Sequence, residues 1–163
     1  MAFVVDDGTG LSTSNAYVSV AEADAYFTES TTLWGGTNLA KERAIVRATR
    51  AIDLMGVNKF LGTKLVETQA LAWPRDGAYD RDGIELTGLP VYLKRAVFEA
   101  ALQELVEENA TMPNTSQQVV MERVEGAVQV SYSEGSYQGT TFRAIHGWLD
   151  MICKGSGMRV VRV

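Results

Sequence analysis

Cysteine and histidine are almost missing from this chain: each occurs once in 163 residues, as Cys153 and His146. One cysteine excludes a disulfide framework, so the fold needs no oxidising compartment, and the pair is too few for a Cys/His zinc site. A hydrolase triad would have to centre on His146. That residue flanks the apolar stripe Phe142, Ile145, Leu149, and no Gly-x-Ser-x-Gly or cysteine-centred signature accompanies it. His146 therefore reads as a packing or interface residue and Cys153 as a small apolar filler at a helix end. No apolar run reaches about 18 residues, and the start Met-Ala-Phe-Val-Val-Asp-Asp-Gly has neither a basic stretch nor a useful apolar one. The expectation is a single domain that neither spans a membrane nor carries a standard secretion signal.

An excess of positive charge is also lacking. The formal charge is −5 with a pI near 4.9, which argues against a protein that grips phosphates over its whole surface. There is no phosphate-cradling Gly-x-x-x-x-Gly-Lys. Asp80-Arg-Asp82-Gly83 imitates the middle of a calcium loop, but aligning Gly83 with the loop glycine puts Ala78 at the first ligand position and Leu89 at the last. A hydrogen-bonded turn is the better reading. The adjacent carboxylates Asp6/Asp7 and Glu107/Glu108 read as solvated rather than catalytic. No enzymatic activity, cofactor or metal is expected.

What is present is organised around residues 68–108. Pro90 suits the first position of a helix, since its missing N–H would have no intrahelical acceptor there. Beyond it Val91, Leu93, Ala96, Val97, Phe98, Ala100, Ala101, Leu102, Leu105 and Val106 cover most of the circumference, and Arg95, Glu99 and Gln103 mark one narrow polar stripe. Other elements should wrap this helix on most sides. Trp73 and Pro74 are expected to lie over it. The predicted structural core is Trp73, Phe98, Leu102 and Trp148.

Before this segment, residues 3–5 suggest a short strand, and Ser19-Val-Ala-Glu22 has the pattern of a capping box opening a short helix that ends near Ser30. A second helix is predicted over 39–55, with Ala44, Ile45, Ala48, Ile52 and Met55 as its buried stripe and Gly56 as its stop. After the central helix the period changes. Val120, Glu122 and Val124, then Val128, Val130 and Tyr132, alternate around Glu125-Gly126 and predict a β-hairpin over about 119–132. The polar stretch 133–141 reads as a mobile loop, residues from Phe142 to Ile152 as a last helix stopped by Gly155, and 156–163 as an extended basic tail. The fold class is mainly α: a helical body over about 15–110 and 141–154, a hairpin arm and the tail.

Arg43, Arg47 and Arg50 share one helical face, and Arg159 and Arg162 lie in the tail, while Glu104, Glu107 and Glu108 form an acidic counterpart. Such a split suits contact between copies, though solvated faces would look the same. With Tyr137 in the polar loop, Arg43, Arg47, Arg50, Arg159 and Arg162 are the predicted partner or oligomer interface. Trp34, Trp73 and Trp148 could stack nucleobases only if exposed beside a basic groove. Their apolar settings favour the core.

Five blocks in order, Asn15-Ala-Tyr-Val-Ser-Val-Ala-Glu-Ala-Asp-Ala-Tyr-Phe27, Arg47-Ala-Thr-Arg-Ala-Ile-Asp53, Gln69-Ala-Leu-Ala-Trp-Pro-Arg75, Asp80-Arg-Asp-Gly83 and Leu93-Lys-Arg-Ala96, resemble tailed-phage proteins often labelled DnaT-like single-stranded-DNA-binding. The ending Arg159-Val-Val-Arg-Val163 is similar as well. The resemblance implies a head completion or head-to-tail adaptor protein, a mostly helical virion subunit assembled in the host cytoplasm. It would form a homo-oligomeric ring of twelve copies, matching the portal above it and meeting a tail or nozzle protein below. Double-stranded DNA would pass without sequence-specific binding. The alternative is a replication-type single-stranded-DNA-binding protein.

Overall fold

A computed structural model describes residues 2–28, 33–112, 121–124, 128–131 and 142–154. Among them are four helices: α1 Val20–Phe27, α2 Asn38–Gly56, α3 Val91–Val106 and α4 Arg143–Leu149. Two antiparallel pairs complete the inventory, β1 Thr63–Lys64 with β2 Arg75–Asp76 and β3 Met121–Val124 with β4 Val128–Ser131. The protein is mainly α.

Helix α3 is the centre, packed against α2 on one side and α4 on another. Ala44, Ala48 and Ala51 of α2 and Ala96, Ala100 and Ala101 of α3 are all fully buried, and side chains this small let helix backbones approach closely. Only the ends of α3 escape, at Val91 and Val106. Its polar stripe is met rather than bare: Glu99 accepts from the Tyr26 hydroxyl at 2.9 Å, and the Arg95 guanidinium lies 4.8 Å from the centroid of the Trp148 ring. Trp73 and Phe98 are buried as predicted, whereas Leu102 and Trp148 are half-buried, packed against the core from outside. Trp148 keeps an exposed margin because α4 lies on the edge of the body.

The capping box at α1 is present. The Glu22 N–H donates to Ser19 Oγ at 3.2 Å and the Ser19 N–H to Glu22 Oε2 at 2.8 Å. Glu22 Oε1 also takes Lys94 Nζ at 2.7 Å, tying α1 to α3. Helix α2 is capped by the Thr37 hydroxyl, which accepts from the Ala40 N–H at 3.3 Å.

Several boundaries differ from expectation, each for a physical reason. Pro90 stands one place before the helix, at its cap, with extended ψ. Gly56 is the last helical residue of α2, and the left-handed backbone belongs instead to Asn58, at φ 62°. What Gly56 provides is room: a Cβ there would meet the Phe60 ring at 2.0 Å. Residues 3–5 contribute only an isolated parallel bridge, Val5 with Ala16. Helix α4 stops at Leu149, well before Gly155, because the chain beyond it pairs with the segment after α2. The Leu61 N–H donates to the Ile152 carbonyl at 3.1 Å and the Lys154 N–H to the Lys59 carbonyl at 2.7 Å. Its cap residue is Phe142, with no side-chain hydrogen bond. The hairpin β3–β4 forms with Glu122 opposite Val130 and Val124 opposite Val128. The predicted mobile loop 133–141 and the tail 156–163 lie outside the described residues.

Candidate functional site

The blocks scattered along the sequence meet in one buried polar framework. Tyr17, fully buried, donates its hydroxyl to Asp53 Oδ1 and accepts the Trp73 N–H at 3.1 Å. Asp53 Oδ2 takes the Ala72 N–H at 3.0 Å. Three segments distant in sequence are thereby joined at one carboxylate. Burial pushes the Tyr17 phenol well above its ordinary pKa, with the Asp53 charge adding to it. Burial likewise raises the Asp53 carboxyl, against the opposing pull of the Tyr17 hydroxyl. The phenol stays protonated and serves as a donor. The arrangement is a brace between distant segments.

Gln69 organises the neighbouring loop. Its Oε1 accepts the Val66 N–H at 2.9 Å, and its Nε2 donates to the Leu71 carbonyl at 2.8 Å and the Pro74 carbonyl at 3.1 Å. The Trp73–Pro74 peptide is cis. Arg75 spends its guanidinium on carbonyls: Nε to Leu61 at 2.6 Å, Nη2 to Gly62 at 2.7 Å and Nη1 to Ala72 at 3.2 Å. The cationic head is consumed in folding. Trp73 is enclosed, its ring edge-on to Phe60, so it offers no face to a nucleobase.

Two acids that the sequence reads as solvated are buried. Asp6 is 3% exposed and takes the backbone N–H groups of Gly8, Gly10 and Leu11 together with the Ser14 hydroxyl. Glu104, 2% exposed, accepts from Arg47 Nε at 2.9 Å, from the Asn109 and Thr111 N–H groups, and from the Thr111 hydroxyl. Burial opposes its charge, but the donors from Thr111, Arg47 and Asn109 together hold the carboxyl below its usual range. Helix periodicity shows which face a residue occupies and cannot show that a later turn will fold back to cover it.

The predicted interface residues separate accordingly. Arg47 is half-buried and ion-paired within the subunit, to Glu104 at 2.9 Å and to Glu108 at 3.2 Å. Arg43 and Arg50 are exposed, with no ion pair among the described residues. Tyr137, Arg159 and Arg162 lie outside the described residues. His146 is exposed, and burial raises the half-buried Cys153 thiol above its ordinary pKa, which disfavours the thiolate. Asp80 forms the expected turn, its Oδ1 accepting the N–H groups of Asp82 at 2.9 Å and Ile84 at 2.8 Å. No cluster of His, Cys, Asp or Glu that could hold a metal occurs among the described residues.

Open clefts among the described residues include the following two. One of about 320 Å³ is lined by Asp6, Asp7, Tyr17, Glu22 and Lys94, whose polar groups are engaged with one another or with adjacent backbone. The other, about 190 Å³, lies between α3 and α4 and is bounded by Glu99, Gln103, Phe142, Arg143, Ala144 and Ile145. Neither is lined by serine, threonine, cysteine or histidine.

A family model described as "Putative DnaT-like ssDNA binding protein" matches residues 1–163. The chain belongs to that family. No curated protein and no solved structure matches it. Read onto the structure, three of the five blocks that resemble the family supply framework: Tyr17, Asp53, Gln69, Trp73 and Arg75 hold the DnaT-like body together through bonds made within it.

Proposed function

We propose that this protein is a structural virion component of a tailed phage, a head-to-tail adaptor that forms a ring beneath the portal. The observation that carries this reading is the inward use of its polar and aromatic residues. Tyr17, Asp53, Gln69, Trp73, Arg75, Arg47 and Glu104 are engaged within the body. A subunit braced in this way is stiff, and a closed ring requires stiff bodies that meet through fixed faces. The net charge of −5 suits a channel wall, since each phosphate contact by Lys or Arg adds affinity and would retard a passing duplex. Its partners would be further copies of itself, twelve to match the portal, together with the portal and a tail or nozzle protein.

Single-stranded DNA binding is the second reading, favoured by the family's description and by one basic-aromatic pair, Arg95 on Trp148. Arg95 and the stacked ring of Tyr92 already contact that indole, so a base would have to displace one of them. Titrating a labelled single-stranded oligonucleotide across a salt series separates the readings. The adaptor predicts no submicromolar binding at moderate salt and, by electron microscopy, rings at the portal end of particles. Tight binding that weakens steeply with salt, with no protein in particles, would overturn it.

A further inference from the structure

Residues 79–85 form a stiff outward turn. Besides the two bonds to Asp80 Oδ1, the Asp80 N–H donates to the Ile84 carbonyl at 2.9 Å, the Gly83 N–H to the Asp80 carbonyl at 3.2 Å, and Tyr79 bridges Glu85. The effort that holds this backbone is not spent on burial. Ile84 is 64% exposed and Tyr79 52%, flanked by the exposed carboxylates of Asp82 and Glu85. A fixed backbone presenting an apolar side chain has already lost the conformational freedom that docking would otherwise cost.

The same chain has a complementary recess. The cleft of about 190 Å³ between α3 and α4 has an apolar lining of half-buried Phe142, exposed Ala144 and buried Ile145, beside the exposed Arg143. It exceeds the roughly 150 Å³ known to admit benzene, so a branched four-carbon side chain fits. Arg143, Asp82 and Glu85 have no ion pair among the described residues. Glu99, the one acid in the recess, is held by the Tyr26 hydroxyl. Turn and recess lie at opposite ends of α4, since Arg81 reaches the Asp150 carbonyl at 3.4 Å and the recess begins at Phe142. Seven helical residues separate them by roughly 10 Å.

We infer that Ile84 of one copy docks into the α3–α4 recess of the next, with Asp82 and Glu85 against Arg143. Different patches meet, so the contact is heterologous and propagates head to tail, closing into a ring when the rotation permits. The inference rests on the ring reading above and names its contact.

The test uses two surface variants of the full chain, Ile84→Asp and Ala144→Trp, which spoil the knob and fill the recess. Thermal melts should match wild type. In sedimentation velocity over a concentration series, wild type should assemble, and each variant alone should associate at least about tenfold more weakly. An equimolar mixture should stop at a dimer, because one intact knob and one intact recess remain. Rings unaffected by either variant, or a mixture that stays monomeric, would overturn the docking and leave the ring reading standing. Open filaments that both variants abolish would support the docking and overturn the ring. A wild type that stays monomeric throughout would overturn both.

Discussion

Two neighbouring loops, 69–76 and 79–85, are ordered by the same device and used in opposite ways. In each, one polar side chain collects local backbone groups: Gln69 in the first, Asp80 in the second. The first then turns its large side chains inward, where Trp73 is fully buried and the Arg75 head is spent on three carbonyls. The second turns Tyr79 and Ile84 to the outside. A well-ordered loop is therefore not evidence of a structural role or of an interaction role. The direction of its apolar side chains separates the two, because order that buries nothing adds little to stability.

Substitutions in the two loops should separate by size and by what they change. Trp73→Ala removes a fully enclosed indole and should cost about 3–5 kcal/mol, enough to unfold a marginal domain, read as a collapse of the thermal melt. A midpoint within about 2 °C of wild type would mean that the inward loop is not part of the core. Gln69→Ala leaves the Leu71 carbonyl and the Val66 N–H without their partner and the Pro74 carbonyl with only the Leu65 N–H, a loss of about 2 kcal/mol by denaturant unfolding.

Gly56→Ala tests the same region from the helix side. Helix propensity alone predicts a gain of about 1 kcal/mol. The Phe60 ring, 2.0 Å from the position of the new Cβ and edge-on to Trp73, predicts instead a loss of about 1–3 kcal/mol from overpacking, so the sign of the measured change decides between them. In the outward loop the effects should be smaller. Asp80→Ala removes two partly solvated hydrogen bonds, for about 1 kcal/mol and faster amide exchange at Asp82 and Ile84. Ile84→Asp should stay within about 0.5 kcal/mol of wild type while weakening association. A large stability loss there would show that the turn belongs to the core after all, and the contrast between the loops would vanish.

Local pattern alone determined a good part of this protein. The capping box of Ser19 and Glu22, the extent of α2, the central apolar helix after Pro90, the hairpin alternation and the turn at Asp80 depend on residues a few positions apart, so short-range rules reach them. The burial of Phe98 followed from the same periodicity, and that of Trp73 from the apolar run that precedes Pro74. Tertiary structure decided the fate of charge and the exact stops. Asp6 and Glu104 look like solvated acids in sequence, and become buried because turns at 8–14 and 109–111 fold back with donors for them. Arg47 was drawn from a surface stripe into a pair with α3 by the crossing of two helices. Gly56 looks like a stop signal and serves as space for Phe60. Tyr17, Asp53 and Ala72 are separated by 36 and 19 positions in the chain, and only packing could show that the Tyr17 hydroxyl and the Ala72 N–H meet on the Asp53 carboxylate. A charge's partner is set by distance in space, and periodicity carries no information about contacts made across the fold.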